Sequence, residues 1–239
     1  MAYVKEICVA GDTIEICKYH TVRTMGKREG PRAKKEKPSC ACQMKINSRI
    51  AKKRMRRLLN HNFYMGDLLV TLDYRKEHAP SDSSQMQEHM KKFLVALRKL
   101  FKKAGKVLKY LYVKEIGPRG SRHIHIVMSK CDSDWLLQCW KWGGIDIKPL
   151  HTRTYEKIAE YFSKYSDKTI ETEGKLVGKR YYPSRTLDKP LITKKIIRRK
   201  DFNKRISDIK GYNPDKNSVC EGVTDMGYRY FSVMYIRDE

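Results

Sequence analysis

What the chain lacks narrows it before any motif is considered. Seven cysteines, an odd number, occur with no C-x-x-C spacing, which argues against a disulfide framework and for a reducing compartment. No apolar run approaches the roughly 18 residues of a spanning helix. The start, MAYVKEICVAGD, has neither the charged opening nor the apolar core of a secretory signal. A cytoplasmic location with no membrane partner is expected. There is no G-x-x-x-x-G-K-[ST] phosphate loop, no internal repeat and no long low-complexity tract. Acidic residues are scarce, 27 against 52 Lys and Arg, for a net charge of +25. That excess points to a polyanion as partner, nucleic acid first, because neutralising phosphates and releasing their counterions supplies most non-specific affinity.

A length of 239 residues suits one domain with appendages or two small ones. The spacing predicts three segments: residues 1–60, a β-hairpin and a basic helix; 61–168, a core; and 169–239, a basic extension ending in a strand. The hairpin is AYVKEICVA, a Gly11-Asp12 turn and TIEICKYHTV, with β-branched positions alternating on both arms. Met25 to Pro38 is a polar loop. Lys45 to Asn60 has helical spacing, with Ile46, Ile50, Met55, Leu58 and Leu59 sharing a face and Lys52, Lys53, Arg54, Arg56 and Arg57 crowding the rest. Such a one-signed run is either a solvated face or a contact for a DNA backbone. Cys8, Cys17, Cys40 and Cys42 invite a zinc knot, but C-x-C is a weak signature and buried small side chains are the plainer reading.

In the core, GDLLVTLDY (66–74) is a strand with Leu68, Val70 and Leu72 on its apolar face. Ser84 to Ala104 is the clearest helix, its apolar residues recurring every three or four positions and Gly105 closing it. Lys109 to Ile116 and the run HIHIVM form a hairpin about a GPRG turn. A short helix follows from Asp132 or Ser133, then the strand IDIKPL. The order β-α-β-β-α-β is the ferredoxin-like pattern: an α+β fold with an antiparallel sheet, helices on one face and the other face free for a site. Another helix spans Thr154 to Tyr165. Beyond it come an amphipathic turn or helix near Phe202, Ile206 and Ile209, a GYNPD turn and a last strand from Tyr228 to Ile236.

The chemistry concentrates in HIHIVM. Period-2 alternation puts His123 and His125 on one strand face, where two imidazoles make a natural pair of metal ligands. Glu115, across the hairpin, completes a three-ligand set suited to Mn²⁺ or Mg²⁺. A divalent ion there polarises a phosphoryl oxygen but does not itself attack. A nucleophile is needed, and YFSKYSDK (161–168) offers Tyr161 and Tyr165 one helical turn apart, with Lys164 beside Tyr161 and Lys168 beside Tyr165. On its own that segment also fits an ordinary amphipathic helix.

Taken together, these motifs resemble a known family. HIHIVM resembles the His-hydrophobic-His motif of the HUH superfamily of single-strand DNA endonucleases. GDLLVTLDY is similar to the first motif of rolling-circle replication initiators, and YFSK to their third, Y-x-x-K. The three occur in the family's order. The N-terminal hairpin with its KYH end, WKWGGIDIKPL and YYPSRTLDKP resemble replication initiators of bacterial mobile elements, plasmids or filamentous-phage-like replicons.

The resemblance implies that Glu115, His123 and His125 bind the ion. It also implies that Tyr161 attacks a DNA phosphodiester to give a 5′-phosphotyrosine and a 3′-OH primer, with Lys164 as the motif lysine. Some superfamily members carry two tyrosines three residues apart that alternate as nucleophiles, and Tyr165 stands at that second place. One- and two-tyrosine mechanisms both remain open, with Tyr161 the stronger candidate. The implied partners are single-stranded DNA or an origin hairpin, a separate helicase and a host DNA polymerase. Two other readings compete: a non-catalytic single-stranded nucleic-acid-binding module on the same sheet type, and an HUH transposase or relaxase.

Overall fold

A computed structural model describes residues 2–21, 41–116, 120–173 and 179–238. The expected loop from Met25 to Pro38, Cys40 and the first three residues of the GPRG turn lie outside the described residues. Within them the chain forms two compact units, one from residues 1–44 with 189–239, the other from 45–188. Each is α+β or β in content and each carries one five-stranded antiparallel sheet.

The first unit starts with the expected hairpin, β1 (Ala2–Ala10) and β2 (Thr13–Thr21), in register from Ala10 opposite Thr13 outward. Gly11 takes a φ of 55° at the turn, a conformation that costs a residue without Cβ little. The C-terminal strands are β8 (Leu191–Ile197), β9 (Tyr212–Val223) and β10 (Arg229–Arg237). They complete a sheet in the order β8-β1-β2-β10-β9, so segments placed at opposite ends by sequence share one ladder.

The helix or amphipathic turn expected near Phe202, Ile206 and Ile209 is not formed. Leu191–Ile197, rich in β-branched side chains, pairs with β1 instead. Phe202 and Ile209 pack singly against the core of Ile16, Phe231, Val233 and Tyr235, while Ile206 is exposed. Only the first residue of GYNPD acts as a turn, with Gly211 at φ 76°. Tyr212 already begins β9, whose Pro214 sits opposite Tyr235; an edge strand tolerates proline because its outward N–H has no partner to lose.

The second unit contains α1 (Ala41–Asn62, whose first residues fall in the other unit), β3 (Leu68–Asp73), α2 (Ser83–Lys103), β4 (Tyr110–Ile116), β5 (Arg122–Met128), α3 (Ser133–Cys139), β6 (Ile145–Pro149), α4 (Glu156–Glu173) and β7 (Tyr182–Pro183). Asp82 caps α2 by accepting from the Gln85 N–H at 2.8 Å, and Asp132 caps α3 in the same way through Asp134. The sheet order β6-β3-β5-β4-β7, with α2 and α3 as crossovers, is the ferredoxin-like arrangement extended by one short strand.

One sheet face packs Leu68, Val70, Leu72, Ile124, Ile126 and Met128 against the stripe Met86, Met90, Phe93, Leu97 and Phe101 of α2, as the periodicity requires. The opposite face is not free, which corrects the expectation of helices on one side only. Leu111, Val113 and Val127 are covered there by Met55, Leu59 and Phe63 from α1 and its end, and by Tyr155, Ala159 and Phe162 of the α4 region. The face expected for α1 is corrected as well. Ala51, Met55 and Leu59 are buried, but Ile46 and Ile50 are exposed. A polar stripe sets this phase: Ser48 donates to Asp167 at 2.7 Å, Lys52 pairs with Glu156 at 3.2 Å and Arg56 also pairs with Glu156. Part of the basic run is thus spent within the unit, holding α1 to α4.

Candidate active site on the second sheet face

The β-ladder brings the candidate side chains into rows. Glu115 on β4 lies directly opposite His123 on β5, and His123 lies opposite Asp73 on β3. One row deeper, His125 lies between Thr71 and Val113. Directly paired residues point to the same face, so Asp73, His123 and Glu115 form one row and Thr71 and His125 the next. Below them Leu111 and Val127 belong to the apolar core under α4. The face is apolar at its α1 end and polar at its β4–β5 turn end.

Each polar partner assigns a proton. His125 Nε2 lies 2.9 Å from Glu115 Oε2, both side chains buried. An ionised carboxylate only accepts, so Nε2 carries hydrogen and Nδ1, 3.2 Å from the Thr71 hydroxyl, accepts. Lys168 of α4 donates to the other Glu115 oxygen at 2.5 Å. Burial alone would raise the Glu115 carboxyl, but the hydrogen bonds from His125 and Lys168 outweigh it and hold the group below the usual carboxylate range. His123 Nδ1 sits 2.6 Å from Asp73 Oδ1, which makes Nδ1 the donor and leaves Nε2 of the neutral ring with its lone pair. Metal-binding histidines typically hold such a carboxylate on the nitrogen away from the ion.

Glu115, His123 and His125 therefore share a face but do not converge. His125 and Glu115 bind each other, and among the described residues no group of three or more His, Cys, Asp or Glu side chains surrounds a common point. By donor chemistry the set fits a divalent ion. By geometry, His123 is the ring whose free nitrogen is presented.

Helix α4 lays its tyrosines over this row. Tyr165 stacks flat on His125, with centroids 4.1 Å apart and planes 8° from parallel. Tyr161 meets His125 edge-on at 5.6 Å and Tyr165 edge-on at 4.3 Å. The two phenols differ in setting: Tyr161 is 46% exposed, whereas burial, then hydrogen bonding to Tyr161, pushes the Tyr165 phenol well above its ordinary range. Lys164 is exposed, and the cation that reaches the Glu115 carboxylate is Lys168.

Three residues of the arrangement escaped the sequence-based site. Asp73 ends the strand GDLLVTLDY, and only the β3–β5 register reveals that it faces His123. Thr71 is hidden in the same way, two residues earlier. Lys168 was visible as the second lysine of Y-x-x-K-Y-x-x-K, but its partner across the sheet was not. Asp73 is held firmly: its N–H donates to Gly144 O at 2.9 Å and its carbonyl accepts from Trp140 Nε1 at 3.0 Å. A Cβ on Gly143 would run into the backbone of Asp73 and Tyr74, so glycine permits this approach.

Fold and site together define a ferredoxin-like α+β unit with a His-x-His strand facing a tyrosine-bearing helix. Residues 67–170, a little under half of the chain, match the model of a replication-associated protein family, the one that takes its name from ORF2. The match spans β3 through α4 and so includes every residue just described. It associates the unit with replication initiation and with DNA as partner. No curated protein and no solved structure matches the chain significantly. No helix among the described residues is long and apolar enough to cross a membrane.

Proposed function

We propose that the protein is a rolling-circle replication initiator of the HUH type that nicks and rejoins single-stranded DNA. The observation that carries the reading is the exposed Tyr161 standing edge-on to His125, at the rim of a sheet row containing Asp73, His123 and Glu115. In the proposed reaction Tyr161 Oη attacks phosphorus and forms a 5′-phosphotyrosine. The bond from phosphorus to the 3′ oxygen breaks, that oxygen takes up a proton, and the phenol proton passes to solvent. The freed 3′-OH is the primer, and reversal by a 3′-OH rejoins the strand.

His123, His125 and Glu115 would hold Mn²⁺ or Mg²⁺, with Asp73 orienting the His123 ring. When bound, the ion supplies Lewis acidity at a phosphoryl oxygen. Tyr165, stacked on His125 and kept protonated by burial, braces that ring and hydrogen-bonds to Tyr161, so its role is positioning. This favours one nucleophile over two. Lys168 neutralises Glu115, which otherwise is an unpaired carboxylate facing the approaching phosphate. Lys164, exposed on the same helix, is suited to contact the strand. A non-catalytic strand-binding sheet would present aromatic rings for bases to stack on, whereas this face presents imidazoles and carboxylates. A separate helicase and a host polymerase would complete the replication machinery, since the sequence has no P-loop.

The test is cleavage of a single-stranded oligonucleotide from the protein's own replicon. Cleavage is expected with Mn²⁺ or Mg²⁺, to stop on chelation, and to fall steeply in His123→Ala. Cleavage that persists in excess chelator, or in a His123→Ala/His125→Ala variant, would contradict the metal-dependent reading.

A further inference from the structure

The sheet of the second unit has a second polar feature on the side away from the histidine row. Along β4, Leu111, Val113 and Glu115 face α4, while Tyr110, Tyr112 and Lys114 face α2. Between α2 and the β4–β7 edge lies a cavity of about 240 Å³, smaller than the roughly 300–1,000 Å³ of sites for drug-sized molecules. Helix α2 contributes Gln87, Lys91, Leu94 and Arg98, spaced four, three and four residues apart and hence one stripe. The remaining wall is Tyr110, Tyr112, Tyr182, Pro183 and the Lys179 side chain. Three cations and three phenols line it, and no carboxylate does.

The hydrogen bonds already present leave this wall with protons to give. The Tyr112 hydroxyl accepts from Gln87 Nε2 at 2.7 Å and the Tyr110 hydroxyl accepts from Arg98 at 2.7 Å. Each phenol oxygen is engaged as acceptor and keeps its own O–H to donate. Tyr112 and Tyr182 stack at 4.8 Å and 8°, and Lys114 lies over the Tyr182 ring at 5.1 Å, which fixes the floor. A rigid, donor-rich pocket with a cationic rim and no acidic group selects for an anion with several acceptor oxygens. Tyr182 and Pro183 belong to the YYPSR segment that the candidate active site does not use.

We propose that this cavity is a phosphate subsite for a single-stranded nucleic acid, seating one backbone phosphate among Lys91, Arg98 and Lys179. The proposal takes from the proposed function only that a DNA strand is the substrate; it requires neither the nucleophile nor the metal. A subsite on the α2 side anchors the strand independently of the reacting phosphodiester, so the strand stays bound while the scissile bond is broken and remade.

The experiment measures binding of a short labelled oligothymidylate to the full chain across a series of salt concentrations. Lys179→Ala and the double variant Lys91→Ala/Arg98→Ala are each expected to weaken binding by about tenfold. Each should also flatten the dependence of log K on log salt by about 0.7, the share of one single-strand phosphate. The control Lys99→Ala/Lys102→Ala removes two exposed cations of α2 outside the cavity and is expected to change affinity little. Lys179 is exposed, so its variant tests the cavity even where the double variant loses stability. Equal losses in control and cavity variants, or no loss in the cavity variants, overturn the proposal. Should the wild-type chain bind no oligothymidylate, the partner in the proposed function has failed, and titration of thymidine 5′-monophosphate followed by phosphorus NMR separates the remaining cases. Binding abolished by Lys179→Ala would assign the cavity to a free nucleotide and overturn the strand subsite, and absence of binding would overturn the phosphate site altogether.

Discussion

Tyr165 lies flat against His125 at 4.1 Å, while Tyr161, one helical turn away, meets the same ring edge-on at 5.6 Å. The two tyrosines that the sequence presents as equals are therefore unequal in the fold. A phenol that is buried and held protonated is a poor nucleophile, and an exposed one at the rim can reach a strand. Tyr161→Phe is expected to lower single-turnover cleavage by on the order of a thousandfold or more, as removal of a nucleophile does. Tyr165→Phe keeps the stacked ring and should cost less than about tenfold, the worth of one hydrogen bond. Equal losses in the two variants would show that both act as nucleophiles.

The Glu115 carboxylate, bonded to His125 and Lys168, gives the unit an acid limb. Its carboxyl titrates lower in the folded than in the unfolded chain, so the unfolded state binds more protons in that window and stability rises with pH. The contribution is fully present above the unfolded value of about 4.3 and is lost as pH falls through the lower, folded value. Urea midpoints measured from pH 6 downward should fall below about pH 4, and Glu115→Gln should flatten that fall. An unchanged acid limb in Glu115→Gln would mean that other carboxylates dominate it.

Gly143 lets the segment after α3 close on Asp73. Gly143→Ala places a methyl against the backbone of Asp73 and Tyr74. The expected cost is about 1–3 kcal/mol from overpacking, together with a cleavage defect from displacing the partner of His123. Asp73→Asn keeps the shape but weakens the charge-assisted bond to His123, so it should raise the metal concentration needed for half-maximal cleavage without a comparable loss of stability. A Gly143→Ala protein with wild-type stability and cleavage would show that the approach is loose.

Asn62 closes the second unit at its other end. Buried at 3% exposure, it donates to Leu58 O and Asp188 O and accepts from the Asp188 N–H and from Lys109. Asn62→Ala strands these partners and should destabilise the unit by about 1–3 kcal/mol, read as a shift of the denaturant midpoint. Asn62→Asp keeps the acceptor toward Lys109 and the Asp188 N–H but loses the donor, and should fall between.

What was legible in the sequence was what depends on neighbours along the chain. The alternation of HIHIVM put His123 and His125 on one face, the spacing from Met86 to Phe101 gave the buried stripe of α2, and Asp82, Asp132 and Gly105 marked helix ends. What depended on partners far along the chain was not legible. Leu191–Ile197 becomes a strand by pairing with β1, and nothing local names that partner. Pro214 disguised β9 because proline is acceptable at an edge and the edge is known only from the sheet order. In the site, Glu115 opposite His123 followed from the hairpin, whereas Asp73 opposite His123 required the β3–β5 register. Ile46 and Ile50 fell on the wrong side of α1 because Ser48, Lys52 and Arg56, counted as a solvent face, are the side that meets α4.

The central claim is that Tyr161 forms a covalent bond with DNA. The most direct measurement incubates the protein with Mn²⁺ and a single-stranded oligonucleotide from its own replicon, denatures it, and maps the DNA-linked peptide by mass spectrometry. The account predicts a denaturant-stable adduct on Tyr161 through a 5′-phosphate, absent from Tyr161→Phe and retained in Tyr165→Phe. An adduct that persists in Tyr161→Phe, or cleavage with no covalent intermediate at all, would contradict it.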